Sequence, residues 1–214
     1  MCRIFGYGED ALTLWALKNH IPDILKAVED QTDPSDCLVF FRPSFGRGRA
    51  GTAGFGEFDA ILATSENVYL IESKWDAFRR WDARAEIHLR ENQKLRHKVF
   101  RWYLMHWDAK YSGDWKSFIR DHNTELQDQF GKKLASSGKL LAQNLENVLT
   151  RICEHCGKPK LGNIRNVLLF FYDKEIKSSP PSKVTENFEL VSLDYSQALH
   201  GNFIILEKLT RESA

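Results

Sequence analysis

The sequence has few cysteines and no long apolar run, and both absences narrow the class of protein. There are four cysteines in 214 residues, namely Cys2, Cys37, Cys153 and Cys156. They are too sparse for a disulfide framework, so we expect reduced thiols. The longest apolar runs, such as residues 167–172, are far too short to cross a bilayer. The first ten residues lack the apolar core of a signal peptide. These features predict a soluble, intracellular, cytoplasmic protein without a membrane partner.

The sequence also lacks an excess of charge of either sign. Thirty basic residues stand against 29 acidic ones, which gives a formal net charge of +1. Any attraction to phosphate must therefore come from local patches and not from the whole molecule. Apolar residues are plentiful at 43%, with 14 Phe and six Trp, so the chain can bury a substantial core. The length predicts one domain over residues 1–214.

Hydrophobic periodicity predicts the order of the elements. Residues 9–29 have a helical pattern with a break at Pro22, residues 36–45 resemble a strand, and "FDAILA" and "VYLIES" form a hairpin around the turn at 64–67. The remaining pattern predicts a helix over 82–106, two helices over 114–130 and 138–153, and strands over 163–173, 186–196 and 201–209. This order predicts an α/β (mixed α+β) fold with a central mixed sheet flanked by helices, in which residues 108–160 form a helical insertion.

Charged residues lie in and beside the two hairpin segments, where burial is costly unless a partner compensates. Glu57 and Asp59 are two residues apart, as are Glu72 and Lys74, so each pair shares one face of a strand. Pairing through the turn at 64–67 would bring Asp59 close to Glu72 and Lys74. Converging carboxylates raise each other's pKa unless a cation intervenes. Oxygen ligands without Cys or His favour Mg²⁺ or Mn²⁺.

The pattern "GEFDAI", followed by "LIESKW" with twelve residues between Asp59 and Glu72, resembles the PD-(D/E)xK nuclease superfamily. The resemblance covers roughly residues 9–105 and implies a restriction-endonuclease-like fold. Asp59 matches the Asp of the motif, Glu72 its second acid and Lys74 its lysine. Gly56 to Phe58 stand where the motif has proline, a position that varies in the superfamily.

The resemblance implies a metal-dependent nuclease that hydrolyses phosphodiester bonds in DNA. Asp59 and Glu72 would bind Mg²⁺, or Mn²⁺ in its place, with the backbone carbonyl of Ser73 as a third ligand. The ion would polarise the phosphoryl oxygen and lower the pKa of a bound water. Lys74 would orient that water or stabilise the attacking hydroxide. No covalent nucleophile is required.

Two further residues are candidates for the catalytic set. The resemblance implies that an acid on the first helix contributes to metal binding, and Glu9 precedes the apolar run of that helix. The alternative is a first-turn acid that complements the helix macrodipole. Gln93 lies where some families of this superfamily place a catalytic Gln, although His97 stands four residues on where those families have Tyr. The alternative for Gln93 and His97 is a polar pair on the surface of one helix face.

A local basic excess supports contact with nucleic acid. Residues 79–101 contain eight basic and three acidic side chains, with Trp75, Trp81, Trp102 and Tyr103 interleaved or adjacent. Basic groups with aromatics suit a phosphate backbone and unpaired bases. Solvated helix faces with core aromatics are the alternative. The predicted nucleic-acid-binding residues are Arg79, Arg80, Lys94 and Arg96, together with Arg47 and Arg49 of the glycine-rich loop at 46–56.

The CxxC formed by Cys153 and Cys156 has no second pair, and a structural zinc site normally needs four ligands. The incomplete set argues against zinc there, although distant ligands or a shared site across a dimer stay open. Two thiols that end a helix before Gly157 are the alternative.

Three functions are compatible with these residues. The first is the nuclease, with DNA as partner, RNA not excluded, and a homodimer expected for cutting both strands. The second is a non-cleaving nucleic-acid-binding module on the same fold. The third is an interaction protein in which Glu72 and Lys74 form a surface ion pair, which leaves Asp59 without a role.

Overall fold

A computed structural model describes residues 3–46, 52–184 and 187–206. Within these ranges the chain forms twelve β-strands and six α-helices, with short 3₁₀ turns between them. The strands are β1 (Phe5–Gly6), β2 (Leu38–Phe41), β3 (Ser44–Phe45), β4 (Gly56–Glu57), β5 (Ala60–Ala63), β6 (Val68–Trp75), β7 (Glu86–Ile87), β8 (Ile164–Tyr172), β9 (Lys183–Val184), β10 (Glu189–Asp194), β11 (Leu199–His200) and β12 (Phe203–Ile205). The helices are α1 (Gly8–Asn19), α2 (Ile21–Ala27), α3 (Glu91–His106), α4 (Trp115–His122), α5 (Glu125–Phe130) and α6 (Leu140–Cys156).

A five-stranded mixed sheet with the order β10-β8-β6-β5-β2 is the largest sheet of the described residues. β2 and β5 are antiparallel, with Val39 opposite Leu62, whereas β10 and β8 are parallel, with Val191 opposite Leu169. Three smaller sheets join β1 with β12 and β11, β3 with β4, and β7 with β9. The mixed α/β class predicted from the sequence is therefore confirmed at this level.

The chain divides into two compact units, and neither is a continuous stretch. The first unit comprises residues 1–35, 71–88 and 167–214, and the second comprises residues 36–70 and 89–166. The predicted helical block at 108–160 belongs to the second unit, where it lies in sequence between α3 and β8. Its status as an insertion in a single domain stays a prediction.

The first unit contains α1 and α2 and residues 167–172 of the apolar strand β8. Leu12, Ala16 and Ile24 are fully buried, as are Phe170 and Phe171 of β8. The predicted break in the first helix is confirmed, and it falls at His20. Pro22 lies in the first turn of α2, where its missing N–H removes no helical hydrogen bond.

The second unit has an aromatic core. Phe45, Phe58 and Phe100 are fully buried, and the rings of Phe45 and Phe100 stack with centroids 4.9 Å apart. Trp107 and Phe118, whose centroids are 5.2 Å apart, extend this core into the helical block. Such ring pairs add stabilisation beyond the apolar area that they bury.

The predicted helix over 82–106 was wrong in its first half. α3 begins only at Glu91. The side chain of Asp82 accepts a hydrogen bond from the Arg84 backbone N–H at 2.8 Å, which forms a turn in place of a helix. Residues 86–89 then alternate between exposed and buried, which is the period of a strand, and β7 pairs with β9.

The hairpin from Ala60 to Trp75 is confirmed in its turn, where the Thr64 N–H donates to the Asn67 carbonyl at 2.8 Å. The prediction that Glu57 and Asp59 share one face of a strand was wrong. Glu57 belongs to β4 and lies opposite Ser44, whereas β5 starts after Asp59. Gly56 adopts φ 120°, a conformation open to glycine, and the backbone is irregular between β4 and β5.

The remaining predicted elements are present with shifted bounds, except that residues 186 and 207–209 of the last two predicted strands lie outside the described residues. The strand at 36–45 is divided into β2 and β3, and the segment 114–130 into α4 and α5. Across the described ranges, none of the helices combines the length and the apolar character that a membrane span requires.

Candidate active site

Two hydroxyl groups join α1 to β6 inside the first unit. Thr13 Oγ1 lies 2.7 Å from Ser73 Oγ and 2.8 Å from the backbone carbonyl of Glu9. Both residues are almost completely buried, with exposed fractions of 1% for Thr13 and 0% for Ser73. This contact holds the first turns of α1 against the end of β6 that carries the Glu72–Lys74 segment.

Lys74 contacts two groups of the predicted site. Its ammonium nitrogen lies 3.3 Å from Glu9 Oε1 and 2.5 Å from the backbone carbonyl of Ser73. Both side chains of the Lys74–Glu9 pair are about one-third exposed, at 33% and 31%. An ion pair of this exposure contributes little stability, because solvent screens it and the side chains lose entropy. The ion pair matters for the position of Lys74, because it places the ammonium group between the Glu9 carboxylate and the Ser73 carbonyl, which are both predicted metal ligands.

Glu72 is buried, with an exposed fraction of 1%. Its charge acts on Glu9. Burial raises the pKa of Glu9 above its ordinary value, the ammonium group of Lys74 lowers the pKa, and the carboxylates of Glu72 and Asp10 raise it. The net direction is upward. The Glu9 carboxylate therefore lies beside the Lys74 ammonium group and within the electrostatic influence of Glu72, in the first unit.

The donor set of the first unit fits a hard divalent cation. Glu9 and Glu72 supply carboxylate oxygens and Ser73 a carbonyl oxygen, with no Cys or His among them, which is the chemistry that Mg²⁺ and Mn²⁺ prefer. Burial is the main cause of the raised pKa of Glu9 and the Glu72 carboxylate adds to it, a cost that a cation beside the two acids would relieve. Lys74 provides part of that relief by itself.

Asp59 lies in the second unit, directly before β5, and is half-buried. Its backbone carbonyl accepts a hydrogen bond from the Arg42 N–H at 3.1 Å. Glu57, two residues earlier, has its carboxylate paired with the Arg42 guanidinium. The convergence of Asp59 with Glu72 and Lys74 stays a prediction.

Gln93 has a structural partner at the start of α3. Its side-chain Oε1 accepts the Arg90 backbone N–H at 3.0 Å, which forms one half of a capping box. The predicted surface pairing of Gln93 with His97 was wrong, since His97 is 2% exposed and its Nδ1 lies 2.9 Å from Asn166 Oδ1. A catalytic part for Gln93 stays a prediction.

The predicted nucleic-acid-binding residues fall into three groups. Arg47 and Arg49 lie outside the described residues. Arg79 and Arg80 are exposed on the loop after β6, in the first unit. Lys94 and Arg96 belong to the second unit, and both have local partners there. Lys94 pairs with Glu91 at 2.8 Å, and Arg96 donates to the Glu57 carbonyl while its guanidinium lies 5.3 Å from the Phe58 ring centroid.

The aromatic residues near the basic stretch divide between core and surface. Trp102 and Tyr103 are core residues, with exposed fractions of 5% and 0%, so the structure supports the alternative for this pair. Trp75 and Trp81 are half-buried in the first unit. Trp75 packs edge-on to Phe78 at 5.1 Å between centroids, and it is placed beside the exposed Arg79 in sequence.

The buried acid Asp76 was missed by the sequence analysis. It follows β6, is 0% exposed, and accepts hydrogen bonds from three donors. The donors are the Phe78 N–H at 3.1 Å, the Asp173 N–H at 2.8 Å and the Tyr195 hydroxyl. It fixes the turn after β6, in which Ala77 and Phe78 both have positive φ values, of 53° and 60°. No local pattern indicates this role, because two of the three donors are distant in sequence.

Cys153 and Cys156 end α6, and Gly157 follows with φ 71°, which confirms the helix-ending alternative. Burial, followed by the Cys153 charge, raises the pKa of the Cys156 thiol to about 11. Burial also raises the pKa of Cys153. A raised thiol pKa disfavours the thiolate form that binds metal.

Comparison with protein-family models, with curated proteins and with solved structures found no match for this chain.

Proposed function

We propose that this chain is a cytoplasmic, Mg²⁺-dependent nuclease of the restriction-endonuclease-like fold that hydrolyses phosphodiester bonds in DNA. The observation that carries the proposal is the meeting of Glu9, Lys74 and the Ser73 carbonyl within the first unit, beside the buried Glu72. A surface ion pair alone gives no reason for the buried acid Glu72 at the neighbouring position of β6, because burial of a charge is costly unless a partner compensates.

In this proposal the acidic residues bind the metal ion, and Lys74 donates a hydrogen bond to the attacking water or to the phosphate. Glu72, Glu9 and Asp59 would bind Mg²⁺, which when bound polarises the phosphoryl oxygen and lowers the pKa of water. Lys74 leaves the Ser73 carbonyl and donates a hydrogen bond to the attacking water or to a nonbridging phosphate oxygen. The water oxygen would form a bond to phosphorus and lose a proton to solvent, the bond between phosphorus and the leaving oxygen would break, and the leaving oxygen would take a proton from solvent. The buried Thr13–Ser73 contact keeps α1 and β6 in register during these steps.

Arg79 and Arg80 would bind the phosphate backbone beside this site. They are exposed and lie within six residues of Lys74 along the chain. Lys94, Arg96, Arg47, Arg49 and Gln93 belong to the proposal as further contacts. A homodimer would place two such sites on a duplex, and RNA would be attacked by the same chemistry.

A second candidate is a non-cleaving nucleic-acid-binding module. The observation that favours it is the pairing of Lys74 with Glu9, which neutralises one acid without an ion. In that case DNA binding would be sensitive to salt but independent of divalent metal.

Nicking of supercoiled plasmid tests the proposal. Chelated and dialysed protein is assayed with Mg²⁺ restored, with Mn²⁺, and without either ion. We expect cutting only with the divalent ion, and a loss of at least about 100-fold in Lys74→Ala, Glu72→Gln and Asp59→Asn, since each removes a group that acts on the reaction. Lys26→Ala is the matched control, because Lys26 is an exposed lysine of α2.

The outcomes separate the two candidates. Metal-dependent cutting that survives Lys74→Ala would contradict the assigned role of Lys74. DNA binding without cutting in any metal would support the binding module. Single-stranded, linear, branched and methylated DNA, together with RNA, extend the panel to the form of the substrate.

A further inference from the structure

Three helix ends meet within the second unit and bring two imidazoles to one carboxylate. His106 is the last residue of α3, His122 the last of α4, and Glu125 the first of α5. His106 Nε2 lies 3.3 Å from Glu125 Oε2, and His122 Nδ1 lies 3.4 Å from Glu125 Oε1. One ligand atom from each of the three residues lies within 4.8 Å of the other two.

The three residues lie close enough together to bind one zinc ion. Zinc binds imidazole nitrogen and carboxylate oxygen at about 2.0–2.2 Å, so neighbouring ligand atoms of a tetrahedral site lie about 3.3–3.5 Å apart. An optimised hydrogen bond between nitrogen and oxygen is shorter, at about 2.9–3.0 Å. The two histidine–carboxylate contacts, 3.3 Å to Oε2 and 3.4 Å to Oε1, are longer than an optimised hydrogen bond and close to the ligand–ligand spacing of a zinc site.

The nitrogen of each ring that faces away from Glu125 has its own partner. His106 Nδ1 lies 2.8 Å from the Trp102 carbonyl, which can only accept, so Nδ1 carries a proton, and in the neutral imidazole Nε2 then has the lone pair that a metal needs. His122 Nε2 lies 3.3 Å from the Tyr111 hydroxyl, whose oxygen is 3.1 Å from Asp121 Oδ2. Outer hydrogen bonds of this kind select the ring tautomer and orient metal-binding histidines in known sites.

The rings are also held in place by packing. His106 stacks on Trp102 at 4.3 Å between centroids, and its ring lies 5.1 Å from that of His122. His122 packs on the buried ring of Phe118 at 4.9 Å. Two of the three ligands end helices, where the macrodipole favours a cation. The residues are therefore positioned before any ion binds, which reduces the entropic cost of binding it.

We propose that His106, His122 and Glu125 bind one zinc-class divalent transition metal, with water in the fourth position, and that this ion joins the ends of α3, α4 and α5. The two imidazoles distinguish this site from the oxygen-only set of Glu9 and Glu72, so its preferred ion is different. The inference uses no residue of the proposed nuclease site, and it stands or falls without nuclease activity.

Metal binding by the full-length protein tests the site directly. Metal-stripped protein is titrated with Zn²⁺ in a calorimeter and with Co²⁺ in a spectrophotometer. We expect one ion per chain, a cobalt spectrum without the intense sulfur-to-metal band, and an X-ray absorption signal from nitrogen and oxygen with imidazole scattering. At a free zinc concentration a hundred times the Kd, the melting temperature should rise by about 5–10 °C.

Matched variants locate the ion. Glu125→Gln keeps the size of the side chain, and His106→Phe keeps an aromatic ring on Trp102, while each removes one ligand. We expect each to weaken zinc binding more than tenfold and to abolish the zinc-dependent rise in melting temperature. His88→Ala, which removes an exposed histidine of the first unit, and Cys153→Ser with Cys156→Ser should bind zinc as the unaltered chain does.

Three results would contradict the proposed zinc site. Absence of stoichiometric binding by the unaltered chain would overturn the proposal, as would sulfur in the cobalt or X-ray spectrum. Retention of tight binding in both Glu125→Gln and His106→Phe would also overturn it. If a variant fails to fold, as judged by circular dichroism of the metal-free protein, the spectra of the unaltered chain decide alone.

Discussion

Asp76 shows how a single buried acid can fix a segment that local sequence does not determine. Its three donors come from the adjacent turn, from the end of β8 and from the residue after β10. Asp76→Ala should lower the free energy of unfolding by about 3–5 kcal/mol, because it leaves the Asp173 N–H and the Tyr195 hydroxyl buried without their acceptor. Equilibrium urea unfolding followed by circular dichroism measures the change.

Two further substitutions serve as comparisons for the stability loss expected in Asp76→Ala. Tyr195→Phe removes one donor and should cost about 1–2 kcal/mol. Asp82→Ala removes an exposed acid of the same loop, paired with Arg84, and should change stability by less than about 1 kcal/mol. If Asp76→Ala and Asp82→Ala lowered the free energy of unfolding equally, burial of the Asp76 carboxylate would not be the cause of its stabilising contribution.

Burial of the α6 thiols makes a prediction about pH. Because the pKa of Cys156 is raised from 9.0 to about 11, this side chain is a neutral thiol at pH 8, and its thiolate fraction grows only as pH approaches 11. Alkylation by iodoacetamide at pH 8 should therefore be at least about tenfold slower for Cys156 than for free glutathione, as followed by mass spectrometry of the peptides. Reaction at the glutathione rate would contradict the raised pKa.

The turn between β6 and β7 carries backbone strain in two consecutive residues. Ala77 and Phe78 adopt positive φ, which costs a residue with a side chain roughly 1 kcal/mol relative to glycine. Ala77→Gly should raise the free energy of unfolding by about 0.5–1 kcal/mol. Ala83→Gly, in the same loop but with ordinary φ, should lower it by a similar amount through unfolded-state entropy. Thermal unfolding of the two variants side by side gives the comparison, and a loss of stability in Ala77→Gly would contradict the strain.

Elements were predictable where the signal is local. The break near Pro22, the turn at Thr64–Asn67 and the apolar strand β8 all follow from proline chemistry, turn residues and burial. The start of α3 was not predictable in this way. The helical spacing of Leu95 and Val99 predicts a helix from Asp82, but the side chain of Asp82 forms a turn with Arg84, and α3 begins at Glu91. The irregular backbone before Asp59 has a different cause, since the single glycine Gly56 at φ 120° changes which residues share a face.

The candidate site was predictable only in part. Glu72 and Lys74 come from a recognisable motif, and Glu9 from the expected first helix. The hydroxyl contact between Thr13 and Ser73 joins residues 60 positions apart, and the Tyr195–Asp76 hydrogen bond spans 119. Such contacts depend on tertiary packing, which a single sequence does not reveal. Thr13 had one usable signal, since it lies one helical turn after Glu9.

At the scale of the whole molecule, a net charge of +1 makes any binding of nucleic acid a local effect. Arg79→Ala combined with Arg80→Ala should weaken DNA binding and reduce the slope of log K against log salt concentration by about two, or about one for each lost phosphate contact. Fluorescence anisotropy with labelled duplex at several salt concentrations measures the slope.

The matched control makes the same charge change elsewhere. Lys133→Ala combined with Lys139→Ala removes two exposed lysines of the second unit. The slope should be unchanged in this variant. A reduction equal to that of the arginine pair would mean that attraction is spread over the surface.

The chain passes between the two compact units four times, at residues 35/36, 70/71, 88/89 and 166/167. The third of these passages follows β7, and the second divides β6, so Leu70 and Glu72 are counted in different units. A cut at any one of these points would divide the first unit, and a cut at the second or third would divide the second unit as well. Folding must therefore wait for segments that are synthesised far apart, which slows it relative to a protein built from consecutive segments. The two sites are consequently best separated by single-residue changes in the intact polypeptide, and not by cutting the gene in two.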